Sequence, residues 1–182
     1  MKKSKIYLLG LITLFLFPVP SFLFLYWQKQ ISITHFLELE TFSFYNVSFG
    51  IAVGILYALF AIMVMKTSIF RRIPLKIDEL VRSLHLNLGD ALFLSLCAGI
   101  GEELLFRTGV QSIFGIWPTS VFFVAIHGYF SLKEPLNNLY GLLVLPFILI
   151  LGYGFESYGL WFVASAHFSY DLFLFVVLIL SK

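Results

Sequence analysis

Residues Leu88–Phe114 read LGDALFLSLCAGIGEELLFRTGVQSIF. At 1.5 Å per residue this apolar run is longer than the ~30 Å of hydrocarbon in a bilayer, so it is read as a membrane-spanning helix. Three charged side chains, Glu102, Glu103 and Arg107, sit far from either end of it. A charge deep in a span costs roughly 2.5–3.5 kcal/mol on insertion scales and is a functional candidate by default.

Similar runs lie on both sides. Five more spans are expected, over Ile6–Trp27, Val47–Met65, Trp117–Phe130, Leu136–Phe155 and Tyr158–Leu180. The expected fold is an all-α, polytopic transmembrane bundle of about six spans, with 1–182 a single membrane domain and 88–180 its functional core. Composition agrees: the 182 residues are 60% hydrophobic and 12% charged, against about 45–50% and about 25% in soluble domains. The span Trp117–Phe130 is short for the hydrocarbon layer and is expected to be broken, tilted or buried in the bundle. No small-x-small site follows the first run, so an uncleaved span is expected in place of a signal peptide.

Lysine and arginine set the orientation. Lys2, Lys3 and Lys5 precede the first span, Lys66, Arg71, Arg72, Lys76 and Arg82 fill the loop after the second, Lys133 follows the fourth, and Lys182 ends the sequence. With six crossings these share one side. The other side receives Lys29 with Glu38, Glu40 and Glu156, so both termini are expected in the cytoplasm. In the loop 67–87, Leu80, Val81 and Leu84 have helical spacing, which fits either an amphipathic surface helix or a solvated basic linker. Trp27, Trp117 and Trp161 read as interfacial anchors. His35, His85, Asp78, Glu79 and Glu134 read as solvated loop residues. A net charge of +2 gives no basic surface for nucleic acid. The single cysteine, Cys97, permits no internal disulfide and reads as a small packing or lipid-facing residue.

Further ionisable groups fall inside other spans, His127 in the fourth and His167 and Asp171 in the sixth. Glu103 and Arg107 are four apart, so they share a helix face and can pair; Glu102 points elsewhere. His167 and Asp171 are also four apart, so Asp171 can orient the imidazole. Counted from the expected span ends, Glu102 lies about 21 Å from the cytoplasmic face, and His127 and His167 lie about 15 Å and 13 Å from the other. The three depths agree, at or outside the midplane. A carboxylate beside imidazole in a low-dielectric site suits general-base activation of water, and a second imidazole suits an oxyanion. His and Glu from separate helices are also metal ligands. Taken singly, Glu103–Arg107 fits a packing ion pair, and His127 a satisfied bundle histidine. Five such groups at one depth fit a site better.

The ordered set Glu102-Glu103-x-x-x-Arg107, Phe123-x-x-x-His127 and His167-x-x-x-Asp171 resembles that of the CPBP family, which takes in CAAX prenyl proteases of the Rce1 type and bacterial bacteriocin-processing or immunity (Abi) proteins. The resemblance covers about Leu88–Leu180. It implies a metal-independent, glutamate-dependent intramembrane endopeptidase without cofactor. Glu102 would activate water with His127, His167 would contribute to the oxyanion site, and Glu103, Arg107 and Phe123 would support them. The last motif position is commonly Asn in the prenyl proteases; here it is Asp171, which cannot donate when ionised. The partners implied are the bilayer and a membrane-associated or lipidated peptide or protein substrate, in a bacterial plasma membrane. A zinc-dependent protease built on the same residues, and a non-enzymatic immunity or membrane-binding protein, stand as alternatives. Oligomeric state and substrate identity are not specified by these motifs.

Overall fold

The computed structural model describes residues 2–70, 76–130 and 137–181. Arg71, Arg72, Ile73, Leu75, Lys133, Glu134, Leu136 and Lys182, to which orientation, loop or span-end roles were assigned above, lie outside them, as do the side chains of Lys76, Asp78 and Leu80. In chain order the helices are α1 Lys3–Phe15, α2 Pro18–Lys29, α3 Ile33–Phe36, α4 Phe44–Met65, α5 Lys76–Ser83, α6 Leu88–Glu103, a π-helical stretch Leu104–Val110, α7 Gln111–Phe114, α8 Ile116–Ile126, α9 Asn137–Tyr158 and α10 Leu160–Leu180. No strand occurs among the described residues.

Among the described residues, four segments are long and apolar enough to cross a bilayer: Lys3–Lys29, Phe44–Met65, Asn138–Tyr158 and Leu160–Leu180. They present large apolar side chains outward, among them Leu8, Phe15, Leu23, Leu56, Met63 and Leu142, which only a lipid solvent makes favourable over so many positions. The protein is an integral membrane helical bundle.

Three expected spans differ in detail, although the first is still one segment able to cross, Lys3–Lys29. The first, Ile6–Trp27, is two helices, because Pro18 lacks the N–H that would continue the ladder and sits instead at the first position of α2. The third, Leu88–Phe114, is continuous but composite, with the π stretch between α6 and α7. The fourth is α8, Ile116–Ile126, in place of Trp117–Phe130. Its rise is only about 16 Å, half the hydrocarbon thickness, and it ends at His127, followed by Gly128 at φ 72°, a left-handed stop that glycine takes without strain.

The helix ends sort to two faces. At one, Lys3 donates to Asp90 at 2.6 Å, Tyr7 also donates to Asp90, and Val81, Leu84, Leu86 and Ala91 pack on Ile6 and Phe175. Helix α5 therefore docks on protein through Val81, and Leu84 just after it does the same. It neither lies on lipid through those residues nor runs as a solvated linker. At the opposite face the Leu160 N–H donates to Glu38 at 2.7 Å and Asn46 donates to the Tyr158 carbonyl at 2.8 Å. Trp27 and Trp117 are exposed, whereas the Trp161 indole turns inward and donates to the Glu38 carbonyl. His35, His85 and Glu79 are exposed and Cys97 is buried.

Helices α4 and α10 meet backbone to backbone. The buried residues of α4 are Gly50, Gly54, Ala58 and Ala61, a stripe of small side chains that lets two backbones meet. A Cβ on Gly54 would stand 2.1 Å from the Ala166 carbonyl oxygen. Across the seam, Ser165 and Ser169 donate to the carbonyls of Val47 and Ile51. This packing holds α10, and with it His167 and Asp171, against the bundle.

Candidate active site

Glu103 and Arg107 have no exposed side-chain surface. The Arg107 Nε donates to Glu103 Oε2 at 3.0 Å, Nη1 to Gln111 Oε1 at 3.1 Å and Nη2 to the Ile148 carbonyl at 3.0 Å. Gln111 then donates to the Gly152 carbonyl at 3.0 Å. Residues 103, 107 and 111 thus form a polar ladder from α6 through the π stretch to α7, against carbonyls of α9. A fully buried guanidinium is tolerable only with its donors engaged in this way. The π stretch, in which the Gln111 N–H reaches back to Phe106, is the kind of local widening often found at functional sites.

The other oxygen of Glu103 meets α10: His167 Nδ1 lies 2.7 Å from Glu103 Oε1. Glu103 accepts from Arg107 through Oε2 and from His167 through Oε1, with Nδ1 as the donor. That leaves Nε2 pointing toward Asp171, 3.5 Å from Oδ2.

Glu102 faces the other way and meets α8. His127 Nδ1 donates to the Phe123 carbonyl at 2.7 Å, since a carbonyl can only accept. Nε2 therefore points at Glu102, 3.6 Å from Oε2. That gap exceeds hydrogen-bond length and is of the kind a water bridges. Phe123 lies between the two imidazoles, with ring centroids 4.4 Å from His127 and 6.0 Å from His167.

Glu102, His127, His167 and Asp171 border one cavity of about 330 Å³, together with Phe123, Tyr129, Tyr140, Val144, Phe147, Ile148, Tyr170, Leu174 and Phe175. Side-chain exposures of 15% for Glu102, 30% for His127 and 23% for Asp171, against none for Glu103, separate the two adjacent glutamates. A second cavity of about 220 Å³ also reaches Glu102 and Asp171, between α1 and the pair α6–α10. Residues that extend both cavities beyond the cluster (Tyr140 and Val144 early in α9, Leu174 and Phe175 late in α10, Ile6 and Leu9 in α1) lie toward the face that carries the termini.

All seven residues singled out in the sequence therefore converge here. Gln111 and the tyrosines at 129, 140 and 170 were not singled out. Gln111 had one signal, its four-residue spacing from Arg107; the tyrosines had none, because aromatic residues recur through every span. Among the described residues, no three His, Cys, Asp or Glu side chains group closely enough to hold a metal ion. Both oxygens of Glu103 are already engaged.

Residues 84–173 match the family model described as type II CAAX prenyl endopeptidase, Rce1-like. The matched stretch contains the whole cluster. No curated protein and no solved structure matches the chain.

Proposed function

We propose, given that the chain belongs to the Rce1-like family through residues 84–173, that it is an intramembrane endopeptidase in which Glu102 and His127 activate water against a peptide bond of a membrane-associated or lipidated substrate. Membership carries a membrane protease activity in general terms. The residue roles rest on the Glu102–His127 pair at the cavity wall, two acceptors 3.6 Å apart.

A water between them donates one hydrogen to Glu102 Oε2 and the other to His127 Nε2. Its lone pairs are left free to attack. The oxygen adds to the carbonyl carbon while the proton passes to Glu102. The carbonyl π electrons move to the oxygen, which becomes an oxyanion. Collapse re-forms the C=O bond and breaks C–N, and the departing amine takes the proton from Glu102. One water is consumed, and a carboxyl and an amino terminus result. His167, held by Glu103 and so by Arg107 and Gln111, keeps its Nε2 at the cavity. Asp171 sets the direction of that ring.

No metal enters this scheme. The substrate approaches from the face bearing the termini, toward which both cavities extend. The basic residues Lys3, Lys66 and Arg82 favour that face as the cytoplasmic one. The depth count from sequence favoured the outer half; it rested on Leu88 as the start of the third span, and a shift of four residues there moves Glu102 by about 6 Å.

The test uses purified full-length protein and an internally quenched, farnesylated peptide with a CAAX ending. Wild type treated with a strong chelator and shown free of zinc should retain its rate. His127→Gln should lose about 10²-fold or more in kcat. Loss of activity on chelation, restored by zinc, would replace this scheme by a metal-dependent one. Full activity of His127→Gln would remove the imidazole from the water step.

A further inference from the structure

Two cavities meet at Glu102 and Asp171, and their walls differ in chemistry. The larger, of about 330 Å³, carries both imidazoles of the cluster. The smaller, of about 220 Å³, is walled by apolar side chains, among them Ile6, Leu94, Cys97, Ala98 and Phe175. Apart from Glu102 and Asp171, the one oxygen-bearing side chain lining it among the described residues is Thr13. A pocket lined in this way holds hydrocarbon and discriminates by bulk.

The walls are three stripes at helical spacing. Ile6, Gly10 and Thr13 follow one face of α1, Leu94, Ala98 and Glu102 one face of α6, and Asp171 and Phe175 one face of α10. Each stripe runs from the face bearing the termini inward to the carboxylates. From Leu94 to Glu102 the rise is about 12 Å. Gly10 lets α1 lie close, since a Cβ there would stand 3.0 Å from the Phe93 ring and 3.4 Å from the Cys97 sulfur. Leu9, which also lines the cavity, is 52% exposed, so the rim reaches the lipid. Lys3 and Tyr7, both bound to Asp90, pin the start of α1 to α6. Helix α1 lies outside residues 84–173, the stretch that matches the family model, whereas Glu102, His127, His167 and Asp171 all lie within it. One wall of this cavity therefore comes from a part of the chain that the match does not cover.

We propose that the cavity between α1 and the α6–α10 pair is a substrate subsite, which takes an aliphatic chain carried on the substrate residue next to the scissile bond, with Ala98 as the residue that limits the chain's bulk. This rests on the hydrolase reading of Glu102 and His127. The placement follows from the shared carboxylate. A peptide bond held at Glu102 leaves its strand in the first cavity and puts the adjoining side chain at the deep end of the second. From there the chain runs toward the face bearing the termini. Ala98 stands one helical turn from Glu102 on the same face, so its size sets how much room remains beside the carboxylate. The apolar walls offer no hydrogen bond that would tell an isoprenoid from a straight alkyl chain. The subsite reads bulk and length, and the two kinds of chain are equivalent to it.

The test uses the quenched CAAX peptide in three forms, its cysteine carrying S-farnesyl, S-decyl or S-methyl. In wild type both long chains should raise kcat/KM over S-methyl by at least about tenfold. Ala98→Leu adds three carbons to the wall and should lower the ratio of S-decyl to S-methyl kcat/KM by about 10–100-fold, with the S-farnesyl ratio falling alongside. The peptides are read on one preparation, so the folded fraction cancels and misfolding cannot imitate the effect. If Ala98→Leu lacks all activity, Ala98→Val reads the same ratio, with a smaller fall in the same direction. A ratio within about twofold of wild type in the active variant overturns the subsite. So does equal slowing of long-chain and short-chain peptides, the result expected if the cavity only holds a bilayer acyl chain as packing. An S-decyl peptide cleaved no faster than S-methyl, with S-farnesyl favoured, also overturns it, because isoprene and not bulk would then be read. Glu102→Gln separates this claim from the protease reading. If it is inactive and the Ala98→Leu ratio is unchanged, the protease stands and the subsite falls; if it is as active as wild type, both fall.

Discussion

Arg107 is the largest of the fully buried side chains, and its environment explains why a charge can stand there. Glu103, Gln111 and the Ile148 carbonyl accept from it, and His167 meets the far oxygen of Glu103. Removing one member of a buried pair typically costs about 3–5 kcal/mol, because the other charge is stranded. Arg107→Met should therefore lower stability by about that amount, read as a shifted midpoint of thermal unfolding in detergent, and should disable the site by freeing Glu103 and His167. An unchanged midpoint would mean that the ladder does not carry the ion pair. The within-helix pairings of this cluster were legible beforehand, since residues four apart share a face whatever the tertiary structure. The contact between Glu103 and His167 was not, because it depends on how α6 and α10 are rotated against each other. Gln111 was passed over because it is neutral, and an intramembrane amide attracts less notice than a charge.

Among the helices, α4 and α10 form the seam on which the position of His167 depends. The signal for it, Gly50-x-x-x-Gly54, was present in the sequence, but a glycine spacing does not name its partner helix. Ser165 and Ser169 complete the contact by donating to α4 carbonyls. Gly54→Ala would place a methyl 2.1 Å from the Ala166 carbonyl oxygen, so the helices must separate. Overpacking of this kind costs about 1–3 kcal/mol. The variant should unfold at lower temperature and lose activity, whereas Leu56→Ala, on the outer face of the same helix, should do neither. Equal behaviour of the two variants would mean that the seam is not a close one. The break in the first span falls at Pro18, although the run Ile6–Trp27 was expected as a single helix. The π stretch and the early end of α8 did not show in the apolar pattern, because hydropathy marks where lipid contact is tolerated and not which hydrogen-bond ladder the backbone adopts.

The bundle as a whole puts its charged cluster inside and its apolar side chains out. It also sorts its helix ends, with Lys3, Asp90 and the docked α5 at one face and Glu38, Asn46 and Tyr158 at the other. The cavities run from the cluster toward the first of these faces, so a peptide tethered at the membrane surface has a route to Glu102 that does not cross the bilayer. The sequence predicted a bundle that brings imidazoles and carboxylates to one depth. Spacing alone does not say which of two neighbouring glutamates faces the cavity, because a helix turns about 100° per residue; the family resemblance gives the water to Glu102 and the supporting role to Glu103. The structure aims Glu102 into the cavity and buries Glu103. That distinction is tested by turnover of the farnesylated CAAX peptide in proteoliposomes containing wild type or Glu102→Gln. Wild type should cleave, and Glu102→Gln should keep its thermal midpoint while losing about 10³-fold or more in kcat/KM. A Glu102→Gln protein that cleaves within about threefold of wild type would contradict the glutamate-activated hydrolysis proposed for this site.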